Sequence, residues 1–287
     1  MGRYFMRKII ILIFFTIIIS SSFFITDCRN SSIKSDYYLI LYAFDTEGAL
    51  LADSMQITRT ETVLGRTVHI GTLCNRKIIL AESGMGLTNA ALTAQKLIDL
   101  YYPCGVFFTG IAGAVDSTVK IGDIAVCDRW LTHDYGYLGA EGLKTSEVKV
   151  TSISSDTLSK ILEFPVDSFY FNLALKLTDK ALSLESIGER QPRLIFSGIG
   201  VSGNTFIDNI DRRQDLSGQF GALTVDMETA AVAQVCYVNE IPFLAFRSAS
   251  DLAGGSGSST ADKEIDRFFK IAAVNSSKVL MSFLKEL

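Results

Sequence analysis

Three short stretches carry side chains able to do chemistry. Val225-Asp-Met-Glu228 sets two carboxylates around a methionine and runs into Thr229-Ala-Ala-Val-Ala-Gln-Val-Cys236, a small-residue helix pattern. Acids in a helix's first turn complement the positive end of its macrodipole. With a second stretch close behind, they read instead as the floor of a sugar-binding site. That second stretch is Phe243-Leu-Ala-Phe-Arg-Ser-Ala-Ser-Asp251, an apolar strand ending in Arg247, Ser250 and Asp251 ahead of Gly254 and Gly255. The third is Asp45-Thr-Glu47, at the end of the apolar run Tyr37-Tyr-Leu-Ile-Leu-Tyr-Ala-Phe44 and ahead of a helix start at Gly48. Acids at a helix entrance also serve as caps, so Glu47 alone is open to either role. All three lie where the ligands of open α/β sheets sit, beyond the carboxyl ends of strands.

Elements that could position these groups follow from hydrophobic pattern. Residues 37–44 and 243–251 suit strands buried on both faces. Thr67-Val-His-Ile-Gly-Thr-Leu73 and Lys77-Ile-Ile-Leu-Ala81 form an expected hairpin around Cys74-Asn75-Arg76. Ser83-Gly-Met-Gly86 turns the chain into a helix with Thr88 or Asn89 near its start and Ala90, Ala94, Leu97 and Ile98 on its apolar side. Two glycines so placed mean a tight turn first and an anion site second. Gly105–Ala114 reads as a strand followed by a glycine-rich turn where backbone can approach a ligand. Further strands are expected at 121–127 and 193–203, an amphipathic helix at 169–184, and a closing helix between Ala261 and Leu287. The stretch 139–191 is the least patterned. His69 and His133, the only two histidines, have no nucleophile nearby in sequence and read as structural.

At 287 residues, 48% of them hydrophobic, the chain can bury one large core. Its net charge of −4 argues against nucleic acid, whose binders usually carry a basic footprint. A small molecule is the expected partner. The amino terminus is separate: Arg3, Arg7 and Lys8 precede the apolar run 9–19, and Ser20–Ser22 lead to Phe23, Phe24 and Ile25. This is an export signal, and the unbroken run is short for a spanning helix of ~20 residues. Cys28, after Ile25-Thr26-Asp27, loosely fits a lipoprotein cleavage site, giving an expected signal at 1–28, a polar tether at 29–36 and one domain at 37–287. Cys74, Cys104, Cys127 and Cys236 have no metal-ligand spacing and read as buried thiols, with pairing left open. Neither a metal nor a cofactor is expected.

Taken together, Ala43-Phe-Asp-Thr-Glu47, Ser83-Gly-Met-Gly86, Thr109-Gly-Ile-Ala-Gly113, Gly122-Asp123, Val201-Ser-Gly-Asn-Thr-Phe-Ile207, Val225-Asp-Met-Glu228 and Arg247-Ser-Ala-Ser-Asp251 resemble, in order and spacing, the bacterial 5′-methylthioadenosine/S-adenosylhomocysteine nucleosidases. The resemblance implies a nucleoside phosphorylase-like α/β fold, with a central mixed sheet curled into a distorted barrel and surrounded by helices, and a homodimer. It assigns Glu47 as the water-activating base, Asp251 as the acid that protonates the purine, and Glu228 as the group gripping the ribose hydroxyls. Met227 would lie under the ribose, Phe206 would stack on adenine, and Ile207 would read the purine edge through its backbone. Arg247 and Ser250 would support the water and the acid. Ile111 stands near the sugar or water where the family often has serine, Asp226 where glutamate is common, and Asn204-Thr205 where Asp-Ala is usual.

Cleaving an N-glycosidic bond needs a better leaving group and a nucleophile for an anomeric carbon of oxocarbenium character. Two carboxyls in different proton states supply both, as in inverting glycosidases. Asp251 must then be held above the ordinary aspartate value of ~3.9, and Glu47 must be ionised. A phosphorylase would bring phosphate to the same carbon, but like charges at 4 Å cost ~1 kcal/mol even in water, so a carboxylate there favours water. A non-catalytic nucleoside-binding lipoprotein could use Phe206, Met227 and Glu228 and would not need Glu47 and Asp251 together.

Overall fold

The computed structural model describes residues Lys34–Leu287. The signal expected at 1–28 and most of the tether lie outside them. From Tyr37 the chain forms β1 (Tyr37–Tyr42), α1 (Asp45–Ser54), β2 (Gln56–Val63), β3 (Arg66–Leu73), β4 (Arg76–Glu82), α2 (Leu87–Tyr101) and β5 (Gly105–Ala114). Short strands follow: β6 (Ile124–Val126), β7 (Arg129–Thr132), β8 (Gly136–Gly139), β9 (Gly142–Thr145), β10 (Val148–Val150), β11 (Ser159–Ile161) and β12 (Phe164–Pro165). Then come α3 (Ser168–Leu175), β13 (Leu194–Phe196), β14 (Ile199–Ser202), α4 (Ile210–Phe220), β15 (Ala222–Asp226), α5 (Thr229–Val238), β16 (Phe243–Asp251) and α6 (Ala261–Leu284).

The main sheet is mixed. Strand order runs β12-β7-β14-β15-β5-β1-β4-β3-β2, and β16 pairs on the other side of β5 and with β6, which in turn pairs β13. The pairings among the described residues do not close into a barrel. β5 and β16, parallel partners over most of their length, are buried at every position. Their alternation divides the core: Val106, Phe108, Phe243 and Ala245 face one apolar cluster, with α2 and α5 residues, while Phe107, Leu244 and Phe246 face another with Val279, Leu280 and Phe283 of α6. Helices thus cover both faces of the sheet. Phe107 touches the rings of Tyr38, Tyr170 and Phe283, so trimming it to alanine would cost about 3–5 kcal/mol.

Four expectations change. β5 continues through Gly110 and Gly113 to Ala114, so its glycines lie within the strand. The strand expected at 193–203 breaks at Ser197 and Gly198, whose φ of 74° and 84° are left-handed. The helix expected over 169–184 stops at Leu175 and passes through one 3-10 turn, Lys176–Asp179. Leu182 and Leu184, which carried its apparent period, instead pack on the core beyond that turn. The 121–127 strand is only Ile124–Val126.

α1, α2, α5 and α6 all begin at the end of the molecule where β1, β5 and β16 finish. Positive helix ends and strand carboxyl ends therefore converge there.

Candidate active site

Glu47 belongs to the first turn of α1 and folds back into the protein, 1% exposed. Oε2 accepts from the Ala43 amide at 2.6 Å and Oε1 from the Ile111 amide at 2.7 Å, with Arg247 Nη1 3.6 Å from Oε1. Burial pushes this carboxyl up to about 7, against the restraint of Arg247 and the two amides. Gly110 makes the approach possible: a Cβ there would fall 2.2 Å from Glu47 Oε1 and 2.4 Å from Arg247 Nη1.

Arg247 is fully buried and joins three acids. Besides Glu47, it meets Asp226 Oδ2 from Nε at 2.9 Å and Glu228 Oε2 from Nη2 at 3.1 Å. It also donates from Nη1 to the Ile111 carbonyl at 3.2 Å and lies over the Phe108 ring, 4.3 Å from its centroid. The two acids around Met227 have separate tasks. Asp226 Oδ1 accepts from Ser202 Oγ (2.5 Å) and from the amides of Glu228 (3.0 Å) and Thr229 (3.1 Å), while Oδ2 meets Arg247 and the Thr229 hydroxyl. Its oxygens are committed to the start of α5 and to the guanidinium. The expectation that both carboxylates make one sugar floor is thereby corrected, since Asp226 is taken up by these partners.

Glu228 Oε1 accepts from the Gly86 amide at 2.9 Å. The Ser83-Gly-Met-Gly86 turn is tight, with φ of 79° at Gly84 and 90° at Gly86, and it also binds an anion, the protein's own carboxylate. Burial raises the Glu228 carboxyl and Arg247 opposes the shift. Each oxygen of a carboxylate takes two hydrogen bonds, so Glu228 keeps acceptor capacity.

Asp251 closes β16 and is 1% exposed. Ser250 Oγ donates to Oδ2 and the Ala253 amide to Oδ1, both at 2.8 Å. Burial pushes the carboxyl up to about 6, with these two donors holding it back. Gly113 leaves room, since a Cβ there would sit 2.9 Å from Asp251 Oδ1. The two seats, Gly110 for Glu47 and Gly113 for Asp251, are three residues apart on one strand, about 10 Å.

The loop after β14 carries Phe206, 45% exposed, and Ile207, buried. Asn204 Oδ1 accepts from the Leu87 amide at 3.0 Å and so caps α2. Asp208 Oδ1 accepts from the amides of Thr260 and Ala261, each at 2.9 Å, at the start of α6. From the same helix, Glu264 Oε2 accepts from the Leu252 amide at 2.8 Å, next to Asp251.

Between these groups is a cavity of about 130 Å³ lined by Glu47, Met227, Glu228, Ser250 and Asp251, with Phe44, Met85, Ile111, Phe206 and Ile265 as its apolar walls. A smaller recess of about 30 Å³ continues between Phe206, Ile207 and Asp251. Roomier clefts of about 380 and 410 Å³ contain none of these residues. A sequence profile of the phosphorylase superfamily matches residues 37–285. The chain belongs to the phosphorylase superfamily. Among its superfamily relatives is a 5′-methylthioadenosine/S-adenosylhomocysteine nucleosidase of Mycobacterium tuberculosis, 32% identical over 253 residues that make up 85% of this chain and 95% of the relative. The corresponding nucleosidase of Neisseria meningitidis, solved with methylthio-immucillin-A, matches with a TM-score of 0.73 at 26% identity, covering 88% of this chain and 100% of that one. Futalosine hydrolase of Helicobacter pylori matches with a TM-score of 0.72 at 25% identity, over 88% and 98% of the two chains.

Within this phosphorylase-superfamily site, Glu47, Ile111, Phe206, Met227, Glu228, Ser250 and Asp251 all line the main cavity, and Ile207 lines the recess. Arg247 does not line it and lies behind it, paired with the acids. Ile111 presents its amide to Glu47 and its side chain to an apolar group with Phe44, Ile265 and Phe269. Sequence reading missed Phe44, Met85 and Ile265, whose apolar types resemble ordinary core. It also missed the Gly86 amide, although the two glycines ahead of a helix were a usable signal. Both histidines stay out of the cavity: His69 meets Thr60 Oγ1, and His133 meets Arg212 with its Nε2 buried and unpartnered.

Proposed function

We propose that the protein hydrolyses the N-glycosidic bond of 5′-methylthioadenosine and S-adenosylhomocysteine, and of related 5′-substituted adenosines, releasing adenine and the substituted ribose. The observation that carries this is that two buried carboxyls, Glu47 against Gly110 and Asp251 against Gly113 of β5, line one cavity. In inverting glycosidases one such carboxyl protonates the leaving group while the other activates water. Asp251 gives its proton to the purine ring nitrogen as the glycosidic electron pair moves onto the base. Glu47 takes a proton from water as its oxygen bonds to the anomeric carbon. Glu228 accepts from the ribose hydroxyls, Met227 lies beneath the sugar, Phe206 stacks on adenine, and the Ile207 backbone faces the purine edge.

Hydrolysis is favoured over phosphorolysis because the cavity lining contains Glu47, Asp226, Glu228 and Asp251 and no cationic side chain. Arg247, the cation buried behind the cavity, is already shared among three acids. Incubation with methylthioadenosine, with and without phosphate, should give adenine and methylthioribose in both cases. A ribose 1-phosphate product would convert the assignment to a phosphorylase, and tight binding without product would convert it to a carrier.

We infer further that residues 1–28 direct export and that Cys28 is lipidated, supported by the basic start and apolar run. Fractionation should find the domain in the periplasm or on a membrane, with labelled fatty acid on the purified protein. Recovery from cytosol alone would refute this. A homodimer is supported by the exposed Met85 and Phe206 at the cavity and Tyr137 and Leu138 of the β8–β9 hairpin, and sedimentation should give twice the chain mass.

A further inference from the structure

The parallel strands give the domain two distinct ends. β1, β5 and β16 run away from the residues where the described chain begins, and the cavity lies beyond their far ends. At the near end, Ser35 donates its amide to the Tyr102 carbonyl at 2.7 Å, Cys104 to Tyr37 at 2.9 Å, Val106 to Pro242 at 2.9 Å and Asp167 to Phe243 at 2.9 Å. Lys34 Nζ reaches the Glu240 carbonyl at 3.2 Å, and the Ile153 amide donates to Val238 at 2.9 Å. These bonds gather the chain entry, the turn after α2, the turn before β16, the 152–155 loop and the start of α3 into one surface.

That surface exposes large apolar side chains: Tyr102 at 45%, Ile153 at 68% and Phe169 at 65%. Other such side chains, Met85 and Phe206, border the cavity at the opposite end. Tyr102 even holds a left-handed φ of 48° at the C-cap of α2, a conformation that asparagine or glycine adopts more readily. The length of chain preceding Lys34 restricts what can cover this end. If Cys28 carries the lipid, Lys34 follows it by six residue steps, which span at most ~20 Å.

We propose that this end of the domain is a membrane-contact face, with Tyr102, Ile153 and Phe169 seated in the headgroup boundary of a phospholipid surface and the nucleoside cavity turned toward the aqueous compartment. The inference rests on the export and anchoring reading above. Aromatic and aliphatic side chains with a polar rim suit that boundary, where apolar groups enter ~5–10 Å. A single acyl chain holds a protein only weakly, so a docking face adds the second contact that stable attachment needs. Six β1 residues at ~3.3 Å each place Phe44 and Glu47 about 20 Å above this face, clear of the headgroups, so the nucleoside enters from water.

The test uses the full-length chain purified from host membranes and reconstituted into phosphatidylethanolamine–phosphatidylglycerol vesicles, with or without bromine on the acyl chains. The sole native tryptophan, Trp130, is fully buried. Phe169→Trp and Ile153→Trp report the proposed face, and Leu64→Trp, on an exposed residue of the β2–β3 turn beside the carboxyl end of β4, reports a surface away from it. Brominated lipid should lower the Phe169→Trp and Ile153→Trp emission roughly two-fold, as expected of rings at the acyl boundary, and leave Leu64→Trp and the parent unchanged. Flotation with the vesicles but equal quenching of all three variants, or of none, overturns the docking face while leaving the anchor intact. Failure to float overturns both. Shielding of Phe169→Trp that ignores bromine and varies with protein concentration overturns it in favour of self-association.

Discussion

The proton states required of the two carboxyls lead to a pH profile that can be worked out in advance. Hydrolysis needs Glu47 ionised and Asp251 protonated, yet burial raises Glu47 to about 7 and Asp251 only to about 6. The values therefore stand in reversed order. At pH 6.5 about a quarter of the molecules have Glu47 ionised and about a quarter have Asp251 protonated, so about 6% hold both, from the two values and ordinary titration. Because kcat/KM reports free-enzyme ionisations, its profile for methylthioadenosine should be level between pH 6 and 7 and fall about tenfold per unit on either side. A substrate whose base leaves without protonation, such as a nitrophenyl riboside, removes the need for Asp251. Its profile should lose the alkaline limb and rise to a plateau with a midpoint near 7, where Glu47 titrates. Competent enzyme would then increase about fifteen-fold between its value at pH 6.5 for the natural substrate and pH 8 for the activated one. The measurement is steady-state kcat/KM for both substrates from pH 5 to 9. A midpoint near 6 for the activated substrate would show that the two acids titrate in the opposite order, and a flat profile would remove both from the mechanism.

Glu47→Gln retains the shape and can still accept from Ala43 or Ile111, so the fold should persist while single-turnover cleavage falls by ~10²-fold or more; near-normal turnover would exclude Glu47 as base. Asp251→Asn should abolish cleavage of methylthioadenosine but spare the activated riboside, and equal losses would make Asp251 a mere cap. The same variant has a stability signature. Asp251 titrates higher folded than unfolded, so the native state holds a proton that the unfolded chain has released, and stability declines as pH rises from about 4 through about 6. Asparagine removes this decline, so its stability relative to wild type should climb across that window and level off above it, by up to about 3 kcal/mol at 1.36 kcal/mol per pH unit, read as a growing Tm difference; a constant Tm difference would refute the burial argument. Glu228→Ala should penalise adenosine-type substrates more than their 2′,3′-dideoxy analogues in kcat/KM, since charge-assisted bonds to the hydroxyls are lost only with the former. Equal penalties would assign Glu228 a structural part.

Much of this architecture was legible because β1, β4, β5 and β16 are buried on both faces and so appear as unbroken apolar runs. β2 was not: its first five residues, Gln56–Thr60, are exposed, leaving polar types with no inward period. Glu47, Arg247, Ser250 and Asp251 stood out because polar groups ending an apolar strand have few structural reasons to be there. The commitment of Asp226 to Ser202, Thr229 and Arg247 was hidden, since it depends on β14 and β15 lying side by side. Ile265, forty residues beyond the sheet's acidic motif, reaches the cavity only through the placement of α6.

The first turn of α6 holds Asp208 by two amides, and its Glu264 holds the amide of Leu252. The loop that carries Phe206 and the turn after Asp251, which lie on two walls of the cavity, are thus clamped to one helix. Moving either wall means pulling a carboxylate off backbone amides, so a disturbance at this helix terminus is felt on both sides of the cavity at once.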